Sequence, residues 1–309
     1  MNRARSEIEE SAAYALDAGW VRRSFDRAST TFDAAAVLQS AVRDALLGRL
    51  DLTALAPRVV LDLGAGTGHG SRALKRRYPA ARVLAVDSAQ GMLRVAAARR
   101  SWLRPFARIC ANAERLPLKN GSVDLVFCSW MLPWCPPDAV FSECRRVLAA
   151  RGLFCFTSLG PDTLRELRAA WAEVDSHPRV HRFIDMHDLG DALVRAGFAA
   201  PVLDVEGYTV SYAEVSGLAD DLRALGMRNA AAGRLKGLTT PRKFAAMQRA
   251  YERQRRDDRL AATYEVVFGH AWAPALAVSS RGESAPAARA DRRISLETVK
   301  RQLRSRRAP

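Results

Sequence analysis

The stretch Val59-Val60-Leu61-Asp62-Leu63-Gly64-Ala65-Gly66-Thr67-Gly68 carries an apolar run, a carboxylate and a glycine-rich turn in immediate succession. Glycines let the chain turn sharply at positive φ and let its backbone approach a ligand with no Cβ in the way. If a helix follows, its first free N–H groups face that ligand. A second carboxylate, Asp87, closes the apolar run Val83-Leu84-Ala85-Val86, 23 residues beyond Gly64. At the tip of a neighbouring strand it can accept the protons of both ribose hydroxyls. The glycines fall at 64, 66, 68 and 70, so the dinucleotide spacing G-x-G-x-x-G is not met. Asp62 would repel a pyrophosphate but suits an amine, and no G-x-x-x-x-G-K-[ST] phosphate loop occurs. The ligand these residues describe has a ribose and an amine and lacks a phosphate.

S-adenosylmethionine meets that description. With Asn112-Ala113-Glu114-Arg115-Leu116-Pro117 added, residues 57–157 resemble the class I S-adenosylmethionine-dependent methyltransferases. The resemblance implies cofactor contacts from Asp62, Gly64, Ala65, Gly66, Gly68, Asp87, Ser88, Asn112, Ala113, Glu114, Ser129 and Phe32, and no metal. In that family an acid usually stands where Asn112 does. An amide oxygen still accepts from an adenine amino group.

The elements that would hold these residues alternate. Strands are expected at 59–63, 82–86, 108–110, 123–128 and 153–157, with helices at about 69–78, 90–100 and 137–149 between them. Residues 123–128 (VDLVFC) form an apolar run with one acid, as in a strand buried on both faces. Alternation of this kind predicts a parallel sheet with helices on both faces. Residues 22–50 read as two helices joined near 31–34, behind a loosely ordered 1–20. Beyond 157, helices are expected at 162–174 and from Asp188, with Asp188 as N-cap and Asp191 at the third position. A strand at 202–205, helices at 212–225 and 240–256, and a final strand at 262–268 complete the α/β pattern. The expected fold is a Rossmann-like class I methyltransferase: a seven-stranded, mostly parallel sheet with an antiparallel edge strand, N-terminal helices and a helical cap insertion. The divisions are 1–50, 51–274 with the insertion at about 207–259, and a basic tail at 275–309. Within that tail 275–292 reads as a linker and 294–303 as a short helix.

Outside the glycine loop a narrower resemblance appears. Phe25-Asp26-Arg27-Ala28, Phe32-Asp33 and Gln39 are similar to the N-terminal helix of the malonyl-acyl-carrier-protein O-methyltransferases of biotin synthesis. So are Ser158-Leu159-Gly160-Pro161-Asp162-Thr163-Leu164, Phe183-Ile184-Asp185-Met186-His187-Asp188-Leu189-Gly190-Asp191 and Tyr264-Glu265-Val266-Val267-Phe268-Gly269-His270-Ala271-Trp272. Tyrosine is commoner in that family where Phe32 stands, and Phe32 can only pack. The resemblance covers 20–274. It implies methylation of the free carboxylate of a malonyl thioester, on malonyl-acyl-carrier protein or malonyl-CoA.

A carboxylate is already ionised at neutral pH, so this transfer needs orientation and dryness rather than a general base. A histidine among His181, His187 and His270 would be superfluous as base. The catalytic residues stay unassigned; Arg223, Arg228, Arg234 and Lys236 in the inserted helices are candidates for orienting substrate or carrier. Trp130, Pro133 and Trp134 are either cavity walls or core packing. Phe25 and Phe32 are either a lid or a helix stripe, and Tyr14 is a weaker candidate.

Composition sets the remaining bounds. The 309 residues are 49% hydrophobic, ample for one large core. No apolar run is long enough to span a membrane and no signal peptide is evident, which leads to a cytoplasmic expectation. Five cysteines without a CxxC pair point to reduced thiols. The net charge is +15; residues 281–309 carry nine basic side chains against three acids, which leaves +9 on the body. Such a body favours an acidic partner such as an acyl carrier protein. Nucleic acid is not required, and an RNA-methylating enzyme would carry an Asn/Asp-Pro-Pro-aromatic turn where Ser129-Trp130-Met131-Leu132-Pro133-Trp134 stands.

Overall fold

The computed structural model describes residues 15–99, 103, 105–235 and 237–275. The chain divides into a unit Met1–Ala275 and a tail Leu276–Pro309. Tyr14, Lys236 and the expected linker and helix of the tail lie outside the described residues, except for Ala275 itself.

Among the described residues three helices come first: α1 (Ala18–Ala28), α2 (Phe32–Ala35) and α3 (Val37–Arg49). Asp17 caps α1 by accepting from Trp20 N–H, so order begins earlier than the polar N-terminus suggests. The alternating core follows as β1 (Val59–Leu63), α4 (His69–Arg77), β2 (Arg82–Asp87), α5 (Gln90–Ala98), β3 (Ala107–Cys110), β4 (Val123–Cys128), α6 (Pro137–Val147) and β5 (Leu148–Leu159). The last third holds α7 (Arg165–Ala172), α8 (Met186–Arg195), β6 (Ala199–Tyr212), α9 (Val215–Ala224), α10 (Pro241–Glu252) and β7 (Leu260–Trp272).

One seven-stranded sheet has the order β3-β2-β1-β4-β5-β7-β6. The first five strands pair in parallel. The antiparallel pairing lies towards the β6 edge, where β7 is lodged between β5 and β6 and runs against both. Strand order reverses at β1, with β2 on one side and β4 on the other. Ligands of open α/β sheets sit outside the carboxyl ends of strands at such a reversal. Asp62 and the glycine loop occupy that position.

Each face of the sheet buries an apolar cluster. Val60, Leu125, Phe127 and Phe268 meet Leu46 of α3, Leu74 of α4 and the cap residues Leu218 and Met247. Leu61, Val126, Phe154 and Phe156 meet Phe141 of α6 and Leu193 of α8 on the other side. Each such side chain contributes about 1.5–3 kcal/mol by burial.

Three expectations need correction. The N-cap of α8 is Asp185, whose side chain accepts from His187 N–H, and Asp188 sits in the first turn. Asp185 also contacts the His187 ring at 2.7 Å, a pairing invisible to a cap rule that reads only spacing. Strand β6 runs over Ala199–Tyr212 rather than 202–205, because its partner β7 holds it from Ala199↔Trp272 to Tyr212↔Leu260. Its alternation of half-buried residues with exposed charges such as Asp204 hides it from a search for apolar runs. Helix α6 stops at Val147, and Ala149 already belongs to β5.

The motifs at 158–164 and 264–272 are explained by close packing. A Cβ on Gly160 would lie 2.4 Å from Glu265 Cδ, and Glu265 accepts from the Asp162 N–H at 2.7 Å. A Cβ on Gly269 would lie 2.3 Å from the Phe156 ring.

Candidate active site

The loop after β1 turns on Gly64, Gly66 and Gly68, all at positive φ. A Cβ on Gly64 would meet the Met131 side chain at 2.4 Å, whereas one on Gly66 would meet nothing within 4 Å. Gly68 is the left-handed cap of α4; its Cβ would press on Ala96 and Phe106, so it serves packing rather than ligand approach. Gly70 leaves room for the carboxylate of Asp62, 3.0 Å from where its Cβ would be.

Asp62 is 3% exposed and accepts from Ser71 Oγ at 2.5 Å. Burial pushes its carboxyl up to about 6, the Ser71 bond opposes the rise and the Asp87 charge adds to it. An arriving ammonium would restore the anion. Asp87 accepts from Gly66 N–H through one oxygen and Ala89 N–H through the other, both at 2.8 Å. Each oxygen keeps a lone pair for a hydroxyl. Burial also raises the Asp87 carboxyl, against the lowering by these backbone bonds.

A cavity with two lobes opens above this strand edge. The first holds Gly64, Gly66, Asp87, Ser88, Asn112 and Ala113 in its wall and has about 820 Å³ of space, part of it open to solvent. The second lies over Asp62, Ala65, Thr67 and Arg43. Phe32, Gln39, Ser129 and Trp130 line both lobes, and Phe25 and Trp134 line the first. The aromatic side chains of α1, α2 and the turn after β4 are therefore cavity walls. Pro133 packs outside these two lobes, and Glu114 lines neither. Asn112 Oδ1 accepts from Glu114 N–H at 3.0 Å and retains one lone pair.

Gln39 Oε1, Ser129 Oγ and Trp130 Nε1 in this wall are shut off from solvent and have no hydrogen-bond partner, and Asp33 Oδ2, also without one, faces the His69 ring and the Arg99 guanidinium. Leaving such a group unpaired costs about 1–3 kcal/mol. Trp130 also sits at φ 64°, a left-handed conformation rare for a bulky residue. Its N–H donates to Thr157 Oγ1 at 2.9 Å, which holds the turn there. Strain and orphaned polar atoms concentrated in one wall are features of a functional site.

The N-terminal helices are tied down over the cavity from several directions. Thr67 Oγ1 donates to Asp33 at 2.6 Å and Gly91 N–H donates to Asp26 at 2.7 Å. Trp20 Nε1 donates to the Asn229 carbonyl at 3.1 Å, and Arg234 pairs with Asp17 at 3.0 Å.

Residues 61–156 match the family described as "Methyltransferase domain", which spans β1 to β5. The chain is 52% identical over 269 residues to the malonyl-[acyl-carrier protein] O-methyltransferase of Methylovorus sp. (strain MP688), covering 85% of this chain and 91% of that one. It is 51% identical over 272 residues to the protein of the same name from Laribacter hongkongensis, covering 85% and 92%. This chain belongs to the malonyl-[acyl-carrier protein] O-methyltransferase family. Among solved structures, the YcgJ protein of Bacillus subtilis shares the fold, with a TM-score of 0.55 and 16% identity over 75% of this chain and 98% of that one.

Within this family member, the remaining candidates separate clearly. Arg234 is committed to holding the start of α1: its side chain is 12% exposed, pairs with Asp17 and lies over the Trp20 ring. Arg223 and Arg228 border a neighbouring chamber instead. His187 is exposed beside Asp185, and His270 on β7 borders neither lobe. His181 is 4% exposed, and burial pushes it down to about 4, so it is neutral. Cys135 lines the first lobe; its thiol donates to Met131 Sδ at 3.2 Å. Burial, helped by the charges of Glu114 and Asp87, pushes that thiol up to about 12. Gln39 is the site residue that spacing rules missed, whereas Trp130, for which the turn after β4 offered two readings, lines both lobes. Gln39 lay within a recognisable motif without a role.

Proposed function

We propose that the chain transfers a methyl group from S-adenosylmethionine to the free carboxylate of malonyl-acyl-carrier protein, an early step of biotin synthesis. The observation that carries this reading is the convergence of Gln39 Oε1, Ser129 Oγ and Trp130 Nε1, all unpaired, on a cavity flanked by Asp62 and Asp87. Such a wall fits a nucleoside joined to an amino acid, with an anionic acceptor beside it.

S-adenosylmethionine supplies an electrophilic methyl on a sulfonium. Asp87 would accept from the ribose hydroxyls, Asn112 would accept from the adenine amino group and Asp62 would pair with the ammonium. Ser129 Oγ and Trp130 Nε1 are donors, so either can hold one oxygen of an acceptor carboxylate and leave the other free to attack. No residue has to remove a proton, because a carboxylate is ionised at neutral pH. Phe25, Phe32 and Trp134 would exclude water and enforce in-line approach; proximity and orientation together reach about 7–11 kcal/mol in well-aligned systems.

The test incubates the protein with labelled S-adenosylmethionine and, in separate arms, malonyl-acyl-carrier protein, malonyl-CoA and RNA. Label released as methanol by mild base from the malonyl arms supports the proposal. Label in RNA alone, or no ester on either thioester, sinks it.

A further inference from the structure

A chamber adjoins the cofactor cavity at Trp134 and Met227, which line both. It has about 1040 Å³ of space, part of it open to solvent, walled largely by apolar side chains of α7, α9 and α10 such as Leu167, Leu218 and Met247. One of its few polar members is His181, which hydrogen-bonds the Pro133 carbonyl and therefore carries its proton on that nitrogen. The other ring nitrogen, Nε2, is an acceptor without a partner. Arg223 and Arg228 line this chamber and also a separate notch, where Arg27 of α1 joins them. Among the described residues, no carboxylate pairs with Arg27 or Arg228; Arg223 pairs with Asp220, which also borders the notch.

We propose that this row of spaces receives the phosphopantetheine arm of the acyl thioester, with Arg27, Arg223 and Arg228 around its phosphate. The proposal rests on the reading of the adjoining cavity as the methyl-donor site. Three guanidinium groups against one carboxylate leave the notch with a net positive charge, and their planar forks match phosphate oxygens. Beyond the phosphate the arm is a chain of methylene groups broken by amides, whose N–H groups suit an unpaired acceptor in an apolar chamber. Its thioester end would then arrive at Trp134 and Met227, beside the donor. Asp220 opposes this arrangement, since it holds Arg223 and would repel the phosphate. Asp220→Asn should therefore tighten binding.

Calorimetry on the full chain compares phosphopantetheine with pantetheine. The phosphorylated form is expected to bind about tenfold tighter or more, Arg228→Glu to abolish that preference and Asp220→Asn to increase it. In turnover, the KM of Arg228→Glu should rise for malonyl-carrier protein and malonyl-CoA alike, and should not rise for malonyl-N-acetylcysteamine, which lacks the phosphate. Equal binding of the two pantetheines overturns the proposal, as does a KM rise shared by the truncated thioester. A rise with the carrier protein alone also overturns it, because Arg228 would then meet the carrier's acidic surface. A protein that prefers phosphopantetheine yet methylates no malonyl thioester would keep this site and lose the proposed reaction.

Discussion

Asp62→Asn should make the ligand-free protein more stable at pH 8 while weakening its grip on the methyl donor. Asp62 is buried, and its carboxyl lies at about 6 against an ordinary 3.8. Between those values the native chain holds a proton that the unfolded chain has lost, so stability falls as pH rises through that window. A rise from 3.8 to about 6, at about 1.4 kcal/mol per pH unit, amounts to about 3 kcal/mol by the time Asp62 is fully ionised. Asparagine removes that cost and can still accept from Ser71 Oγ, though a neutral acceptor forfeits about 1 kcal/mol of that bond. The net gain above pH 7 is about 2 kcal/mol, or about 4–8 °C in Tm for a domain of this size. At pH 4 the carboxyl is largely protonated anyway, and the variant should be level with the parent or slightly less stable. Thermal melts at pH 4, 6 and 8 measure this, and calorimetry should find S-adenosylmethionine bound about 10- to 100-fold more weakly. A variant less stable than the parent at pH 8, or a stability gap independent of pH, would refute the assignment of a buried, strained charge at Asp62.

Trp130→Phe keeps an aromatic, though smaller, ring and deletes the orphaned donor Nε1; kcat should fall about 10- to 100-fold with Tm little changed. An unchanged kcat would remove Trp130 from substrate orientation. Gly64→Ala places a Cβ 2.4 Å from Met131 at φ 76°, and an unfolding free energy lowered by about 1–3 kcal/mol in denaturant titrations is expected. His181 is held at about 4 against an ordinary 6.5, so the native chain stays neutral while the unfolded one takes a proton. Its contribution of about 3 kcal/mol is present above pH 6.5 and lost as pH falls to 4. Denaturant titrations of His181→Leu should show that acid loss abolished.

The geometry of the glycine-loop half was legible because its signals are local. Glycine spacing, a carboxylate before the loop and another at the next strand tip lie within 62–87, and β1 and β2 lie side by side as that reading needs. The walls were harder to read. Gln39 and Ser129 come from α3 and the turn after β4, and they meet only because α1–α3 are tied back across the sheet by pairs such as Thr67–Asp33. Arg234 resembled a substrate cation in the sequence, yet it is 217 residues from the aspartate it serves. Cap and strand boundaries failed for similar reasons. Asp185 and Asp188 are equivalent by spacing until the His187 ring chooses between them. The length of β6 belongs to β7 as much as to its own residues.

The Cys135 thiol stands in the wall of a cavity proposed to hold an alkylating agent. A thiolate there would be a stronger nucleophile than any carboxylate, and each encounter would methylate the enzyme instead of the substrate. With the thiol pushed up to about 12, the thiolate fraction at neutral pH is roughly one part in 10⁵. In the proposed reaction the same low-dielectric wall, with the nearby charges of Glu114 and Asp87, would protect the catalyst from its own reagent. Chemoselectivity would then come from keeping the better nucleophile protonated.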